Sequence, residues 1–272
     1  MFNFSVIIPT CNRNELLRRA VKSALEQRSV SLEIIVVDDN IEQGAPPNQL
    51  QEYIDQFKII YVKSGGGKGG GYCRNLGLSH ATKELVAFLD DDDQWKPDKL
   101  YKQALLMNSN DLVLCYTGLL ICKPDGNSRY SFRKPEFSDH FKSIMKKNFV
   151  GTTSSVVVRR SFLEKTGGFD ISLPALQDYD LYIRLLRKWN ACWIAEPLTL
   201  YDDNYKLQKV SGSRECYLNA VQHLLNKYAN EKYFPLLAKS LKNIQFLKMF
   251  RSRQFLLETI QELFNPGKYA KD

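Results

Sequence analysis

The fold is decided by two stretches, LEIIVVDD at residues 32–39 and ELVAFLDDDD at residues 84–93. Each stretch is an apolar run that ends in aspartates. A continuous run of Ile and Val is typical of a strand that is buried on both faces of a parallel sheet. Such sheets bind ligands beyond the carboxyl ends of their strands, so the sequence predicts its chemistry at Asp38–Asp39 and at Asp90–Asp93.

The first 95 residues alternate between predicted strands and predicted helices. FSVIIP at 4–9 predicts a strand, and apolar residues then recur at helical spacing over 14–26. The glycine run GGGKGG at 65–70 predicts a loop. This alternation predicts a parallel, doubly wound sheet. The remaining strands of this half are expected over 32–39, 58–63 and 84–90, and its remaining helices over 49–57 and 73–81.

The second half of the chain is less regular. LQDYDLYIRLLRKW at 176–189 has apolar residues at helical spacing and acids at its start, so it predicts a helix. From Glu215 the chain is predicted to be helical, with a break near Pro235. We expect a body over 1–205 and a helical extension over 206–272. Other expected elements are helices over 97–107 and after residue 160, strands over 111–122 and 152–160, a polar excursion over 123–137, and a pair of strands over 190–202.

The net charge of +8 is concentrated in the extension, which carries seven of the eight excess positive charges. This asymmetry indicates an anionic partner, such as lipid headgroups, diphosphates or nucleic acid, or else a solvated basic helix surface. Residues 239–264 interleave Leu, Ile and Phe with Lys and Arg, a pattern that suits a helix lying on an anionic membrane surface. The same pattern suits a helix that packs on the body or forms a dimer contact.

The composition favours a cytoplasmic protein. No apolar run approaches the ~20 residues of a membrane span, and the start MFNFSVIIPT has no basic leader or small-residue cleavage site. The six cysteines are scattered without a CxxC pair, so neither a zinc site nor a disulfide framework is expected. We expect a cytoplasmic protein that attaches peripherally to the inner face of the cytoplasmic membrane.

Four consecutive aspartates follow the second apolar run, at Asp90–Asp93. Adjacent carboxylates repel one another, and each raises the pKa of its neighbour unless a cation is present. Carboxylate oxygens are the ligands that Mg²⁺ and Mn²⁺ prefer, usually together with substrate phosphates. The cluster therefore indicates a divalent cation site. The alternatives are a solvated turn, or a helix cap in which Asp93 caps the helix near Pro97.

Taken together, these stretches and others in the same order resemble the family 2 glycosyltransferases of the GT-A fold. The resemblance implies an α/β fold, Rossmann-like, with a mixed, mostly parallel central sheet and flanking helices. Within the body it implies a nucleotide-binding half over 1–95 and an acceptor-side half over 96–205. The stretches that carry it are VIIPTCNRNELLRRAVKSALEQ (6–27), IIVVDD (34–39), GYCRNLGLSHATKELVAFLDDDDQWKPDKL (71–100), TTSSVVVRRSFLEKTGGFD (152–170) and LQDYDLYIRL (176–185).

The resemblance implies a uridine site at the end of the first strand. Pro9, Thr10 and Asn12 would line the base, and Asp39 would accept a hydrogen bond from the uracil N–H. Arg74 would approach the uracil or the diphosphate, and the alternative for Arg74 is a salt bridge with one of the aspartates.

The family's DXD signature maps onto Asp90, Asp91 and Asp92. The resemblance implies that Asp91 contacts the ribose and that Asp92 ligates an Mn²⁺ or Mg²⁺ ion between the two phosphates. Breaking the sugar C1–O bond expels a charged diphosphate, and the cation neutralises that charge as it develops.

Transfer with inversion needs a carboxylate that takes the proton of the acceptor hydroxyl. The family's Glu-Asp pair becomes Gln177-Asp178 here, so the resemblance assigns the base to Asp178. Loss of the neighbouring acid predicts a lower pKa for Asp178 than in a paired site, and a position at a helix N-terminus lowers it further. Asp178 would then be ionised at pH 7 but would be a weaker base. Asp180 is the competing carboxylate, although two positions along a helix it points elsewhere. The alternative for Asp178 is a helix cap.

The resemblance implies an inverting, metal-dependent transfer of one hexose from a UDP-sugar, with UDP-glucose and UDP-galactose favoured. The acceptor would be an oligosaccharide or a lipid-diphosphate-linked sugar in bacterial O-antigen or capsule synthesis, and a homodimer is an open option. QxxRW, the signature of processive members, is absent, and Lys206 or Lys209 could touch the diphosphate. Two other functions stay open: a sugar nucleotidyltransferase, and a non-enzymatic protein that binds an anionic polymer. A nucleic-acid partner is not expected, because basic and aromatic residues are not interleaved on a sheet face.

Overall fold

The computed structural model describes residues 1–41, 48–56, 59–107, 111–203 and 214–250, and for 48, 49, 52 and 244–250 it describes the backbone alone. The strands are β1 (Phe2–Thr10), β2 (Val30–Asp38), β3 (Ile59–Lys63), β4 (Leu85–Phe88), β5 (Gln94–Trp95), β6 (Leu112–Cys122), β7 (Ser128–Ser131), β8 (Val156–Arg159) and β9 (Asn190–Asp202). The helices are α1 (Asn14–Leu25), α2 (Asn48–Asp55), α3 (Gly70–His80), α4 (Lys99–Leu106), α5 (His140–Lys146), α6 (Arg160–Thr166), α7 (Gln177–Leu186), α8 (Arg214–Lys227) and α9 (Phe234–Phe250), with a 3₁₀ turn at Thr153–Ser155.

The strands of the described chain form one sheet in the order β3–β2–β1–β4–β8–β6–β9–β5, and β7 also pairs with β6. β1 to β4 are parallel, as the strand–helix alternation predicts. The second half adds antiparallel pairs, but the two longest ladders, β1–β2 and β6–β9, are both parallel. The predicted α/β class with a mixed, mostly parallel sheet is therefore confirmed. Because β1 lies between β2 and β4, their carboxyl ends meet at one edge of the sheet.

Helices cover both faces of the sheet because the side chains of each strand alternate between them. On β1, Ile7 belongs to the apolar cluster that includes Cys73 of α3 and Tyr182 of α7. Its neighbours Val6 and Ile8 belong to the cluster on the other face, which holds residues of α1 and α4. The central strands are buried from both sides, which is why they carry continuous apolar runs.

Several expected elements are changed by the structure. The glycine run does not stay a loop throughout, because Gly70 and Gly71 form the first turn of α3. Gly71 lies close to α7, since a Cβ there would lie 3.1 Å from the Gln177 carboxamide. The predicted break in the helix lies just before Pro235. Pro235 itself occupies the first turn of α9, where a backbone N–H has no partner within the helix, so its absence does not destabilise the helix. The short elements β5, β7 and α5 were not predicted.

The segment 190–202 is one strand, β9, and the predicted pair of strands is wrong. Its register with β6 shifts on both sides of Gly118, where a Cβ would lie 2.4 Å from the carbonyl oxygen of Ala195. The clash is with backbone, which cannot move aside as a flexible side chain can. We therefore expect Gly118→Ala to lower the free energy of unfolding by about 1–3 kcal/mol, the usual cost of overpacking. Urea denaturation measures this, and an unchanged midpoint would contradict the packing described.

The described part of the extension packs on the body. Leu224 of α8 and Leu237 and Leu241 of α9 are buried in the same apolar cluster as α7, whereas Lys239 and Lys242 are exposed. Up to residue 243 this is the arrangement in which the helix packs on the body with its basic side in water. The remaining side chains of the predicted membrane-binding face, and Lys206 and Lys209, lie outside the described residues. Among the helices described, none combines the length and apolarity needed to cross a bilayer.

Candidate active site

The acidic turn that follows β4 lies against the end of β1. The Thr10 hydroxyl donates to Oδ2 of Asp91 at 2.8 Å. Nη1 of Arg13 donates to Oδ1 of Asp91 at 3.1 Å and to Oδ2 of Asp92 at 3.4 Å. The structure therefore brings together Thr10, Asp91 and Asp92, which the resemblance assigns to the nucleotide and the metal. It also places the positively charged side chain of Arg13 beside them.

Asp90 is held from the other side of the turn. Nη2 of Arg74, on α3, donates to Oδ1 of Asp90 at 2.5 Å, and the Thr153 hydroxyl donates to Oδ2 at 3.1 Å. The backbone N–H of Asp90 donates to the Ser154 hydroxyl oxygen at 3.0 Å. The salt bridge that was the alternative for Arg74 is present, and it fixes the guanidinium at the same edge of the sheet as Asp91.

Asp93 is enclosed and has a structural role. Its Oδ1 accepts the backbone N–H of Asp202 on β9 at 3.1 Å, while its Oδ2 has no hydrogen-bond partner among the described residues. Burial, together with the neighbouring carboxylates, raises the pKa of Asp93 well above its ordinary value. The interpretation of Asp93 as a helix cap is wrong, because α4 begins at Lys99 and the residue preceding it is Asp98.

Asp39 holds the glycine loop in place. Its Oδ1 accepts the Ser64 hydroxyl at 2.5 Å and the Lys68 N–H at 2.8 Å, and its Oδ2 accepts the Gly69 N–H at 2.7 Å. Gly66 takes a positive φ of 83°, and a Cβ there would lie 2.7 Å from the Ile41 backbone. This carboxylate is therefore largely occupied by the loop, and its capacity to accept a further hydrogen bond is at Oδ2.

The other predicted uridine contacts sit at the end of β1. Pro9 is the last residue but one of the strand and is partly buried. Asn12 is exposed and takes a positive φ of 55°, which Asn tolerates better than most residues. Both residues are within four positions of Arg13, so the turn of the chain that would face a base also carries the arginine that contacts the aspartates.

Asp178 lies at the start of α7. Its Oδ1 accepts the backbone N–H of Tyr179 at 2.8 Å. Gln177, which replaces the family's first acid, donates from Nε2 to the Leu173 carbonyl at 2.7 Å and packs against Gly71 of α3. The start of α7 therefore rests on the start of α3, the helix that carries Arg74.

The environment of Asp178 raises its pKa. Burial raises the pKa to about 6, and the Tyr179 N–H and the Arg74 charge offset only part of this effect, while the Asp90 charge adds to it. The prediction of a low pKa is wrong, because it weighed the helix N-terminus and the lost neighbouring acid but not desolvation. A carboxylate with a pKa near 6 is well matched to general-base work near neutral pH.

Asp180, the competing carboxylate, points away from the candidate site, as predicted, and is bound by other side chains. Its side chain is 0% exposed. It accepts Nε of Arg184 at 2.8 Å, Nζ of Lys227 at 2.8 Å and the Tyr228 hydroxyl at 2.7 Å. A carboxylate bound by two cations and a hydroxyl has no face left for an acceptor sugar. The geometry leaves Asp178 as the carboxylate of α7 that can act on a substrate.

A surface cavity of about 310 Å³ lies elsewhere, between α5 and the residues that follow α7. Trp189 and Tyr233 are among the residues that line it. It lies past the opposite end of α7 from Asp178, so it is not part of the candidate site.

Comparison with known proteins identifies the chain. The model of the family described as glycosyl transferase family 2 matches residues 5–167, more than half of the sequence. The chain belongs to glycosyl transferase family 2. A second family model, described as glycosyltransferase like family 2, matches residues 127–246. Family membership decides for a transferase over the nucleotidyltransferase and the non-enzymatic binder that the sequence left open.

Two relatives of this transferase are named for polysaccharide pathways. WcaA of Escherichia coli (strain K12), named for colanic acid biosynthesis, is 29% identical over 225 residues, covering 78% of this chain and 76% of that protein. TuaG of Bacillus subtilis (strain 168), named for teichuronic acid biosynthesis, is 30% identical over 189 residues, covering 68% of this chain and 72% of that protein.

Solved structures support the GT-A fold. The structure of S. aureus TarS 1–349 in complex with UDP-GlcNAc has a TM-score of 0.70 and 17% identity, over 96% of this chain and 78% of that one. The mannosyltransferase of Pyrobaculum calidifontis in complex with GDP-Man and Mn²⁺ has a TM-score of 0.63 and 17% identity, over 98% of this chain and 76% of that one.

Three side chains of the transferase's candidate site were missed by the sequence reasoning. Arg13 contacts the aspartates, Thr153 contacts Asp90, and the buried hydroxyl of Tyr182 has no hydrogen-bond partner among the described residues. Burial and the Asp178 charge raise the pKa of Tyr182 well above its ordinary value. The sequence did indicate Tyr182, because a residue four positions after Asp178 lies on the same face of the helix. Thr153 had none, because its contact depends on how β8 pairs with β4.

The candidate site can be tested for its fit to a divalent cation. Among the described residues, no group of three or more His, Cys, Asp or Glu is placed to hold a metal ion by itself. Asp91 and Asp92 do share one positive charge, the guanidinium of Arg13. One or two carboxylates completed by phosphate oxygens is the usual way in which Mg²⁺ is bound. The residues therefore fit a cation that arrives with a diphosphate.

Proposed function

We propose that this family 2 glycosyltransferase is an inverting, metal-dependent enzyme that moves one hexose from a UDP-sugar to a hydroxyl group of a lipid-diphosphate-linked sugar during surface polysaccharide synthesis. The observation that carries the proposal is the Asp178 carboxylate, whose pKa burial raises to about 6 beside the Arg74–Asp90 pair. The two relatives named for colanic and teichuronic acid biosynthesis support the pathway. The fold neighbour in complex with UDP-GlcNAc supports a UDP-sugar as donor.

In this mechanism Asp178 is the general base. The acceptor hydroxyl donates to the Asp178 carboxylate, which takes the proton as the oxygen attacks C1 of the sugar. The C1–O bond to the diphosphate breaks on the opposite face, so the configuration inverts. A bound Mn²⁺ or Mg²⁺ ion, ligated by Asp92, would neutralise the charge that develops on the diphosphate. Arg74, fixed by Asp90, supplies a further positive charge at the same edge of the sheet.

The nucleotide contacts follow the same geometry. Pro9, Thr10 and Asn12 line the base at the end of β1, and Asp91 contacts the ribose. Asp39 accepts the uracil N–H at Oδ2, which also accepts the Gly69 N–H at 2.7 Å. These assignments give uridine specificity to the edge of the sheet where β1, β2 and β4 end.

The membrane is part of the proposal because the acceptor carries a lipid. The extension brings the enzyme to the inner face of the cytoplasmic membrane, and its charge of +7 suits anionic headgroups. Lys239 and Lys242, which are exposed on α9, contribute to this surface. Packing of Leu237 and Leu241 on the body leaves the basic side of the helix available to lipid.

A panel of UDP-sugars and lipid-diphosphate-sugar acceptors tests the function, with UDP-glucose and UDP-galactose first and UDP-GlcNAc included. We expect transfer with one donor, inversion at C1, and loss of activity in EDTA that Mn²⁺ or Mg²⁺ restores. No transfer from any UDP-sugar would overturn the donor class, and full activity in EDTA would overturn the metal role.

Asp92→Ala tests the metal ligand. Loss of even an outer-shell partner of a metal costs about 10–100-fold in metal affinity. We therefore expect the Mn²⁺ concentration for half-maximal activity to rise by at least about tenfold, while the protein stays folded because Thr10 and Arg13 still hold the turn through Asp91. Titration of activity with Mn²⁺ measures the shift. An unchanged titration would show that Asp92 does not ligate the cation.

A further inference from the structure

Arg13 stands where a cation is expected. It immediately precedes α1, and its Nη1 contacts Asp91 Oδ1 at 3.1 Å and Asp92 Oδ2 at 3.4 Å. The three side chains are only 16%, 7% and 14% exposed, so water weakens their attraction less than it would at the surface. The Thr10 hydroxyl donates to the other oxygen of Asp91 at 2.8 Å, so the Asp91 carboxylate is held in one orientation.

Arg13 and a divalent cation would compete for the same carboxylate. Arg13 contacts both Asp91 and Asp92, whereas Arg74 binds Asp90 from the other side of the turn. A divalent cation ligated by Asp92 would repel the guanidinium, since both positive charges would lie against that carboxylate.

We propose that Arg13 holds the place of the divalent cation at Asp92 in the donor-free enzyme, and that the cation must displace Arg13 from that carboxylate in order to bind. The inference rests on the proposed function because it takes Asp92 as the metal ligand. Arg13 is thus a positioning residue: it keeps the acidic turn assembled without metal and makes metal binding weak until the donor arrives.

Binding of donor and metal is coupled as a consequence. A diphosphate brings negative charge that offsets the like-charge repulsion between Arg13 and the cation. The nucleotide therefore raises the affinity for the cation, and by linkage the cation raises the affinity for the nucleotide by the same factor. Without Arg13, the cation binds more tightly alone, and the gain on adding nucleotide shrinks.

Mn²⁺ binding measured by electron paramagnetic resonance, with and without UDP, tests this without any transfer reaction. We expect Arg13→Gln to lower the Kd for Mn²⁺ in the absence of UDP by about tenfold, within the usual range of coupling between sites. We expect UDP to tighten Mn²⁺ binding several-fold less in this variant than in the wild type. Arg13→Lys keeps the charge and should stay near the wild type.

Arg18→Gln is the matched control. It removes the same charge five positions further along the chain, within α1, and its salt bridge with Glu15 at 3.3 Å lies at the surface, where Arg18 is 50% exposed. A general charge effect would shift the Kd equally in both glutamine variants and would overturn the proposal. So would weaker Mn²⁺ binding by Arg13→Gln in a folded protein, with the fold checked by circular dichroism.

Asp92→Asn separates this inference from the proposed function. If Asp92→Asn loses Mn²⁺ binding while Arg13→Gln equals the wild type, the metal site stands and the competition is wrong. If the wild type binds no Mn²⁺ even with UDP, the metal role and the competition both fail. Tighter binding by Arg13→Gln alone, lost again in the double variant with Asp92→Asn, supports the competition.

Discussion

Asp178→Asn is expected to lower kcat/KM for transfer by about 10²–10⁴-fold, the usual contribution of a positioned general base. The amide keeps the size of the side chain but cannot take the acceptor proton. The hydrogen bond from the Tyr179 N–H can persist at the amide oxygen, so the start of α7 stays formed. Steady-state transfer assays with a fixed donor and acceptor measure the loss.

Asp139→Asn is the matched control, because it tests the alternative in which Asp178 is only a helix cap. Asp139 precedes α5, and its Oδ1 accepts the Lys142 N–H at 2.9 Å. The same substitution at this N-cap should leave transfer close to the wild-type rate. Equal effects of the two variants, or normal turnover by Asp178→Asn, would show that Asp178 is not the base.

The pH dependence of transfer also tests the assignment of Asp178 as the base. Burial raises the pKa of Asp178 to about 6, and a base acts only when deprotonated. We therefore expect kcat/KM of the wild type to rise with pH through an apparent pKa near 6 and to level off above it. Asp178→Asn removes that limb and leaves a low, flat profile through this range. A wild-type profile already flat between pH 5 and 7 would contradict the burial of this carboxyl.

A cost in stability accompanies the raised pKa. The unfolded chain has an Asp pKa near 3.9, so between about pH 4 and pH 6 the folded state binds the proton more tightly. Stability contributed by this group therefore falls as pH rises through that window and stays low above it. Asp178→Asn should raise the free energy of unfolding by the order of 1 kcal/mol at pH 8 and have little effect at pH 4. Urea denaturation at the two pH values measures the difference.

The sequence was sufficient for the elements whose local pattern matches their environment. β1 and β2 are apolar runs, and they are buried on both faces, so composition and structure agree. β9 was split into two because Pro197 interrupts its pattern, whereas the structure absorbs the proline in a register shift opposite Gly118. Short elements such as α5 have too few residues to show a period, and only tertiary contacts form them.

For the candidate site, too, some features could be predicted from the sequence and others could not. The positions of Asp90–Asp93 and Asp178 could be read from the chain because each follows or begins a predicted element. The pKa of Asp178 could not, because its main cause is burial, which depends on how the chain packs around the start of α7. The smaller effects of the Arg74 and Asp90 charges come from residues about ninety to a hundred positions away in sequence. The role of Arg13 could not be predicted for a related reason. A single arginine at the start of a helix gives no indication in the sequence of which carboxylates it contacts in the fold.

Asp180→Asn is expected to lower the free energy of unfolding by about 3 kcal/mol, near the lower end for removal of one partner from a buried ion pair. The variant leaves Arg184 and Lys227 facing a neutral amide in a site where the side chain is 0% exposed. Lys227 keeps Asp170 as a partner at 2.6 Å, which limits the loss. Urea denaturation measures it, and Glu164→Gln, at an exposed pair with Arg160, should change stability by less than about 1 kcal/mol.

The two carboxylates of α7 should therefore respond in opposite ways. Asp178 is kept partly desolvated and forms no direct ion pair with a cation of the described residues, so its removal at pH 8 stabilises the fold and abolishes most transfer. Asp180 joins α7 to α8 through Lys227 and Tyr228, so its removal destabilises the fold. At low temperature, where Asp180→Asn stays folded, its kcat should remain within a few-fold of the wild type. Loss of transfer by folded Asp180→Asn, with transfer retained by Asp178→Asn, would reverse the roles assigned to them.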